Sequence, residues 1–209
     1  MSLRRPRNSP PPKPVPVAAL VLYAGDDLWS RWARLLFLEK EVADSRVERL
    51  GPGKPLNEDM LVLNPEQRLP AIADREVVLT GARVISEYLE ERYPHPRLLP
   101  NEPLGRARAR MALDRFEQEL FPLLATASAG EKAPARAAKA RLDQVLVASA
   151  RSFSARGWFL GPEFSLADGA WAVWLQGVFA LGIVPPPAVR DYAERLAKRP
   201  SVRKLFADR

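Results

Sequence analysis

The period of the hydrophobic positions changes several times along the first hundred residues. Residues 18–23 (AALVLY) form an unbroken apolar run, the pattern of a strand buried on both faces, and Gly25-Asp26-Asp27 then offers turn and helix-capping chemistry. From Trp29 to Lys40 the spacing becomes helical. Trp29, Trp32, Ala33, Leu36 and Phe37 gather on one face, which predicts a helix packed on a sheet. Residues 46–50 (RVERL) alternate like a half-buried strand, the GPGKP that follows breaks it, and a short helix is expected around Glu58 to Leu63. Residues 69–73 (LPAIA) and 77–80 (VVLT), joined by Asp74-Arg75-Glu76, have the spacing of an antiparallel hairpin. Helical spacing returns through Val84, Ile85, Tyr88 and Leu89 over residues 82–92, until Pro94 and Pro96 stop it.

The resulting order, β-α-β-α-β-β-α, predicts a compact α/β unit over residues 17–97, followed by a linker over 98–103 that Pro100 and Pro103 bracket. From residue 104 to 209 no strand pattern appears. Helices are expected at about 104–128, 134–155, 166–183 and 187–198, with a last turn after Pro200, so the second unit reads as all-helical. No internal repeat is visible.

Composition narrows the chemistry. The chain has 209 residues, 47% hydrophobic and 27% charged, enough for one large core or two small ones. With no Cys, disulfides, thiolate nucleophiles and Cys-ligated metals are excluded, and the lone His95 leaves little for histidine metal sites or triads. Neither a metal nor a cofactor is called for. The formal charge is +7, but Arg4, Arg5, Arg7 and Lys13 stand in the first 16 residues, so basicity is mostly a property of that tail. Residues 1–16 also hold Pro6, Pro10, Pro11, Pro12, Pro14 and Pro16 and little apolar surface, which predicts disorder. The tail has two readings, contact with DNA phosphates and simple solubility. Basic residues ahead of VAALVLYAG also imitate a secretory signal, but the prolines interrupt that pattern and the run serves as a buried strand. No stretch approaches the ~20 apolar residues of a membrane span, and a cytoplasmic protein is expected.

Two local motifs have structural meaning. Ser165-Leu166-Ala167-Asp168 is a capping box ahead of a buried helix; Gly169 follows where an apolar residue is usual, so Phe164 must pack elsewhere. Pro70, second in an apolar strand, cannot donate to a central ladder, and composition alone favours a trans edge-strand proline over a cis Leu69–Pro70 bond. Trp158, Phe159, Trp171 and Trp174 have the spacing of core aromatics.

Taken with the element order, four segments resemble the glutathione transferase superfamily over residues 18–206, and within it the stringent starvation branch that associates with bacterial RNA polymerase: LEK at 38–40, LNPEQRLPAIADRE at 63–76, EYLEERYPHPRLLP at 87–100 and WFLGPEFSLAD at 158–168. The resemblance implies a thioredoxin-like N-terminal domain followed by an all-helical C-terminal domain, a cis proline at Pro70, a homodimer and transcriptional work. Enzymes of that superfamily grip the γ-glutamyl end of glutathione with an acidic residue and a Ser or Thr where the hairpin meets the third helix; here that place reads Gly81-Ala82. They activate the thiol with Tyr, Ser or Cys near the first helix. Here Asp27 stands at the Cys position and would repel a thiolate, leaving Tyr23 and Ser30 as candidates, each with a structural alternative in the strand core and the first helical turn.

Tyr93-Pro94-His95-Pro96 combines two fixed φ angles with the one imidazole of the chain. Residue types alone read it as a helix stop with an exposed His; the resemblance makes it the surface patch that engages the transcription apparatus. The first reading is therefore a non-catalytic regulator that binds RNA polymerase holoenzyme, sigma factor included, as a homodimer or as a heterodimer with a related protein. The alternatives are a glutathione-dependent transferase or peroxidase with a rebuilt site, and a DNA-binding regulator working through the tail.

Overall fold

A computed structural model describes residues 20–207 except 43, 52, 76, 131, 154 and 155; the basic tail expected over residues 1–16 lies outside the described residues. The first strand, β1 (Leu20–Ala24), is buried along its whole length, as its apolar run requires. Helix α1 (Leu28–Lys40) starts where Asp27 accepts the Ser30 N–H at 2.9 Å, an N-cap that satisfies one orphan donor of the first turn. Its stripe of Trp32, Ala33, Leu36 and Phe37 packs into the core with Leu20 and Leu22.

Strand β2 (Ser45–Arg49) runs parallel to β1 at the sheet edge, which explains why its side chains are more exposed than a half-buried alternation implies. After α2 (Glu58–Leu63), capped by Asn57, the chain forms the antiparallel hairpin β3 (Ala71–Asp74) and β4 (Val77–Thr80). The sheet order is β2-β1-β3-β4, with β1 and β3 antiparallel. Strand β3 begins at Ala71 rather than Leu69 because Pro70 has no N–H for the ladder; the Leu69–Pro70 bond is cis, against the composition-based preference for trans. Helix α3 (Ala82–Arg92) follows directly and returns over the sheet.

The helical half begins with α4 (Pro103–Arg115), with proline in its first turn, where the missing N–H is harmless. The expected helix over 104–128 is not uniform. A π-helical stretch, Phe116–Leu120, separates α4 from α5 (Phe121–Ser128). Pro122, just beyond it, has no N–H to donate to the Gln118 carbonyl, the Phe121 N–H reaches back to the Phe116 carbonyl, and the Trp174 indole donates to the Leu120 carbonyl at 2.8 Å. Then come α6 (Ala133–Ser149), which ends in a 3₁₀ turn before the expected residue 155, α7 (Leu166–Ala180), α8 (Pro187–Ala197) and α9 (Pro200–Ala207).

One apolar cluster joins the two halves. Phe121 sits edge-on to Trp29 (5.4 Å) and Trp32 (6.3 Å), while Trp171 meets Phe116, Phe153 and Trp174. Gly177 of α7 is a close-approach point: a Cβ there would lie 2.6 Å from the Leu124 side chain of α5. Phe164, without its staple partner, packs edge-on against Trp158 at 5.1 Å. The capping box is present. The fully buried Asp168 carboxylate accepts from the Ser165 N–H (2.9 Å), the Phe159 N–H (2.8 Å) and the Tyr192 hydroxyl (2.5 Å), which fastens the preceding loop and α8 to the start of α7. Burial pushes this carboxyl above its ordinary value, and those donors oppose the shift.

Candidate functional site

Helix α3 has a different chemistry at each end. At its N-terminus the hairpin turns through Gly81, whose φ of +90° suits glycine, and the Gly81 N–H donates to the Pro70 carbonyl at 3.0 Å. Ala82 is buried, no side chain caps the helix, and its first turn holds no acidic residue. Gly81 and Ala82 themselves offer an anion only backbone N–H groups.

The two nucleophile candidates are engaged in other contacts. The buried Ser30 hydroxyl donates to Asp27 at 2.6 Å and accepts the Gly25 N–H at 3.0 Å, so it closes the β1–α1 turn. Tyr23 is 4% exposed, in the cluster with Leu50, Leu56 and Met60, and its hydroxyl is 3.4 Å from the Asn57 amide nitrogen. Tyr23 pairs with Ala71 and Ala71 with Thr80, so the β1–α1 turn and the Gly81 corner stand at the same end of the sheet, but the Tyr23 and Ser30 hydroxyls are each held by a neighbouring residue. Among the described residues no group of three or more His, Asp or Glu side chains is placed to hold a metal ion, and no helix is long and apolar enough to cross a membrane.

At the other end of α3, Pro94, His95 and Pro96 are exposed and Tyr93 is half-buried, with the Arg92 guanidinium 5.8 Å from its ring centre. The His95–Pro96 bond is cis, a feature no residue pattern announces. Beneath the loop lies a buried ion pair. The Lys40 ammonium, at the end of α1, donates to Glu90 of α3 at 2.5 Å and to the Tyr93 and Pro96 carbonyls, each at 2.8 Å. Glu90 in turn accepts the Leu98 N–H (3.0 Å) and the Leu99 N–H (3.1 Å).

Sequence reasoning missed this pair, although a signal was present. Lys40 continues the apolar stripe of Leu36 and Phe37, and Glu90 lies beside Leu89 on the buried side of α3; opposite charges on two core-facing stripes point to each other. The neighbouring Glu39 faces the helical half. It accepts two bonds from Arg199 (2.8 and 2.5 Å) and one from the Ser201 hydroxyl, and the Arg199 guanidinium lies 3.8 Å from the Phe164 ring centre. Pro96 and Arg199 together line two adjoining concavities, one of 790 Å³ that continues over Val42, Arg46 and Lys204, the other of 480 Å³ over Arg97, Glu163 and Phe164. The Pro-His-Pro loop is thus a ridge beside recessed, charged ground.

Comparison with known proteins places the fold. Residues 26–97 match the glutathione S-transferase N-terminal domain and residues 113–200 the glutathione S-transferase C-terminal domain. The chain is 35% identical over 179 residues to a stringent starvation protein A homolog of Pasteurella multocida, covering 84% of each. It is 31% identical over 155 residues to the maleylacetoacetate isomerase of Pseudomonas aeruginosa, covering 69% of this chain and 73% of that protein. Among solved structures, glutathione transferase Omega 3C from Trametes versicolor superimposes with a TM-score of 0.78 at 27% identity, covering 89% of this chain and 88% of the other. The chain belongs to the glutathione S-transferase superfamily, and within it to the stringent starvation protein A family.

Proposed function

We propose that this protein is a non-catalytic regulator of transcription that acts in the cytoplasm, binding RNA polymerase holoenzyme, sigma factor included, through Tyr93, Pro94, His95 and Pro96. The observation behind this reading is the contrast along α3: an exposed, anchored Pro-His-Pro ridge at one end, and at the other a Gly81-Ala82 corner without a polar side chain. Pro70, Ser165 and Asp168 keep structural roles in it, and no residue is assigned a catalytic one.

The protein works as a dimer in this reading. Val84, Leu104 and Met111 on α3 and α4 are 52%, 63% and 72% exposed, and the Arg83–Asp114 and Arg110–Glu87 pairs hold those two helices side by side. Such apolar residues ringed by charge suit a partner copy or a related subunit. A dimer offers the polymerase two ridges. The test is a pull-down with RNA polymerase holoenzyme: replacing Pro94, His95 and Pro96 together by Ala abolishes association while the protein stays folded and dimeric. Unchanged co-purification overturns the assignment.

A second reading has one observation in its favour, the identity to an isomerase of the same superfamily. Titration with reduced glutathione separates the two, because an enzyme with a rebuilt site binds it saturably and loses turnover when Tyr23 or Ser30 is changed.

A further inference from the structure

We infer that Lys40 and Glu90 are positioning residues for the Pro-His-Pro surface: their buried ion pair fixes the loop from Tyr93 to Leu99 so that His95 is presented in one conformation. The inference rests on the reading of that loop as a binding surface. Its geometry is saturated on the cation's side. An ammonium has three N–H groups, and the Lys40 side chain, 0% exposed, directs them at Glu90, the Tyr93 carbonyl and the Pro96 carbonyl. Glu90 holds the Leu98 and Leu99 N–H groups. The backbone is therefore tied down on both sides of Pro94 and His95, which are left as the projecting part.

A purely structural role explains this choice of residues poorly. Buried ion pairs are often no more stabilising than apolar side chains of the same volume. An apolar pair here, however, would leave two inward carbonyls and two N–H groups without partners, and the loop would have to turn them to water. What the pair supplies that apolar packing cannot is a defined loop backbone. Its position also couples the loop to the second half of the composite surface: Glu39, next to Lys40 in the chain, holds Arg199, which lines both concavities beside Pro96. A loop ordered before binding loses less entropy on contact, so affinity depends on a side chain that no partner touches.

The experiment uses the full chain with Lys40→Met. Since His95 is the only histidine, its imidazole gives a single assignable magnetic-resonance signal, and the Leu98 and Leu99 amides report the Glu90 bonds through hydrogen exchange. The expected result is a folded protein whose Leu98 and Leu99 exchange accelerates and whose polymerase affinity drops, each by at least about tenfold, with the His95 signal moved toward its free-peptide position. Leu142→Ala, a core truncation in α6, lowers stability and leaves all three readouts in place. If Lys40→Met does not fold, Glu90→Gln, of nearly the same volume, takes the same measurements. Unchanged exchange and an unmoved His95 signal overturn the inference. So does unaltered polymerase binding by Lys40→Met when the triple Ala variant has lost it. If the triple Ala variant binds normally, the functional reading has failed instead, and the loop-positioning role is judged on the exchange and His95 signals alone.

Discussion

At the N-terminal end of α3 Gly81 and Ala82 offer only backbone N–H groups; about 16 Å away, at its C-terminal end, Lys40 and Glu90 satisfy the loop backbone from inside, with Pro94 and His95 exposed. The first end keeps the geometry of a ligand corner without its side chains. The second has buried charge where most helices end in solvent. The two ends of one helix thus differ in where polar side chains sit: Gly81 and Ala82 bring none to the first, and a buried ion pair underlies the loop at the second. The Lys40 cation also suits its position, since the end of a helix with unpaired carbonyls favours positive charge.

The strongest way to break the comparison is at Glu90. Glu90→Ala leaves the buried Lys40 ammonium without a counter-charge and two N–H groups without acceptors, and is expected to destabilise the protein by about 3–5 kcal/mol in urea denaturation. A loss below about 1 kcal/mol would mean that water reaches the pair and that the loop is not held from within. Next in size, Ser30→Ala removes the acceptor of the Gly25 N–H and is expected to cost about 1–2 kcal/mol while leaving polymerase association untouched. A folded Ser30→Ala that loses a measurable turnover would instead return catalysis to the β1–α1 turn.

The smallest effect is expected at the corner itself. Ala82→Ser restores one hydroxyl, but the acidic partner is still missing and Gly81 sits at φ +90°, so titration calorimetry with reduced glutathione should show no saturable binding below about 1 mM. Saturation in the micromolar range would show the corner to be one oxygen away from a ligand site, and the contrast between the two ends of α3 would disappear.

Much of the framework is legible in the residue pattern. The change from unbroken apolar runs to helical spacing located β1, α1, the β3–β4 hairpin and α3, because each element must bury one face and its period follows from backbone geometry. The Ser165–Asp168 box was legible because capping has a local signature. The π-helical stretch was not anticipated, although Pro122 stands inside a helical pattern just beyond it. At the functional end, the exposed Pro-His-Pro followed from a helix stop flanked by prolines. The cis His95–Pro96 bond and the Lys40–Glu90 pair did not. Both depend on what the tertiary fold brings together, and a pair fifty residues apart in the chain is not a local pattern. The physical peculiarity of Lys40 and Glu90 is charge on a buried stripe, and it shows only once both stripes are placed.

Whether this protein acts through the presented loop is decided by its affinity for RNA polymerase holoenzyme before and after Pro94, His95 and Pro96 are replaced together by Ala. A loss of about 100-fold is expected, the size seen when an interface loses its central anchor, with no change in thermal midpoint or oligomeric state. Equal affinity of the two proteins would contradict it.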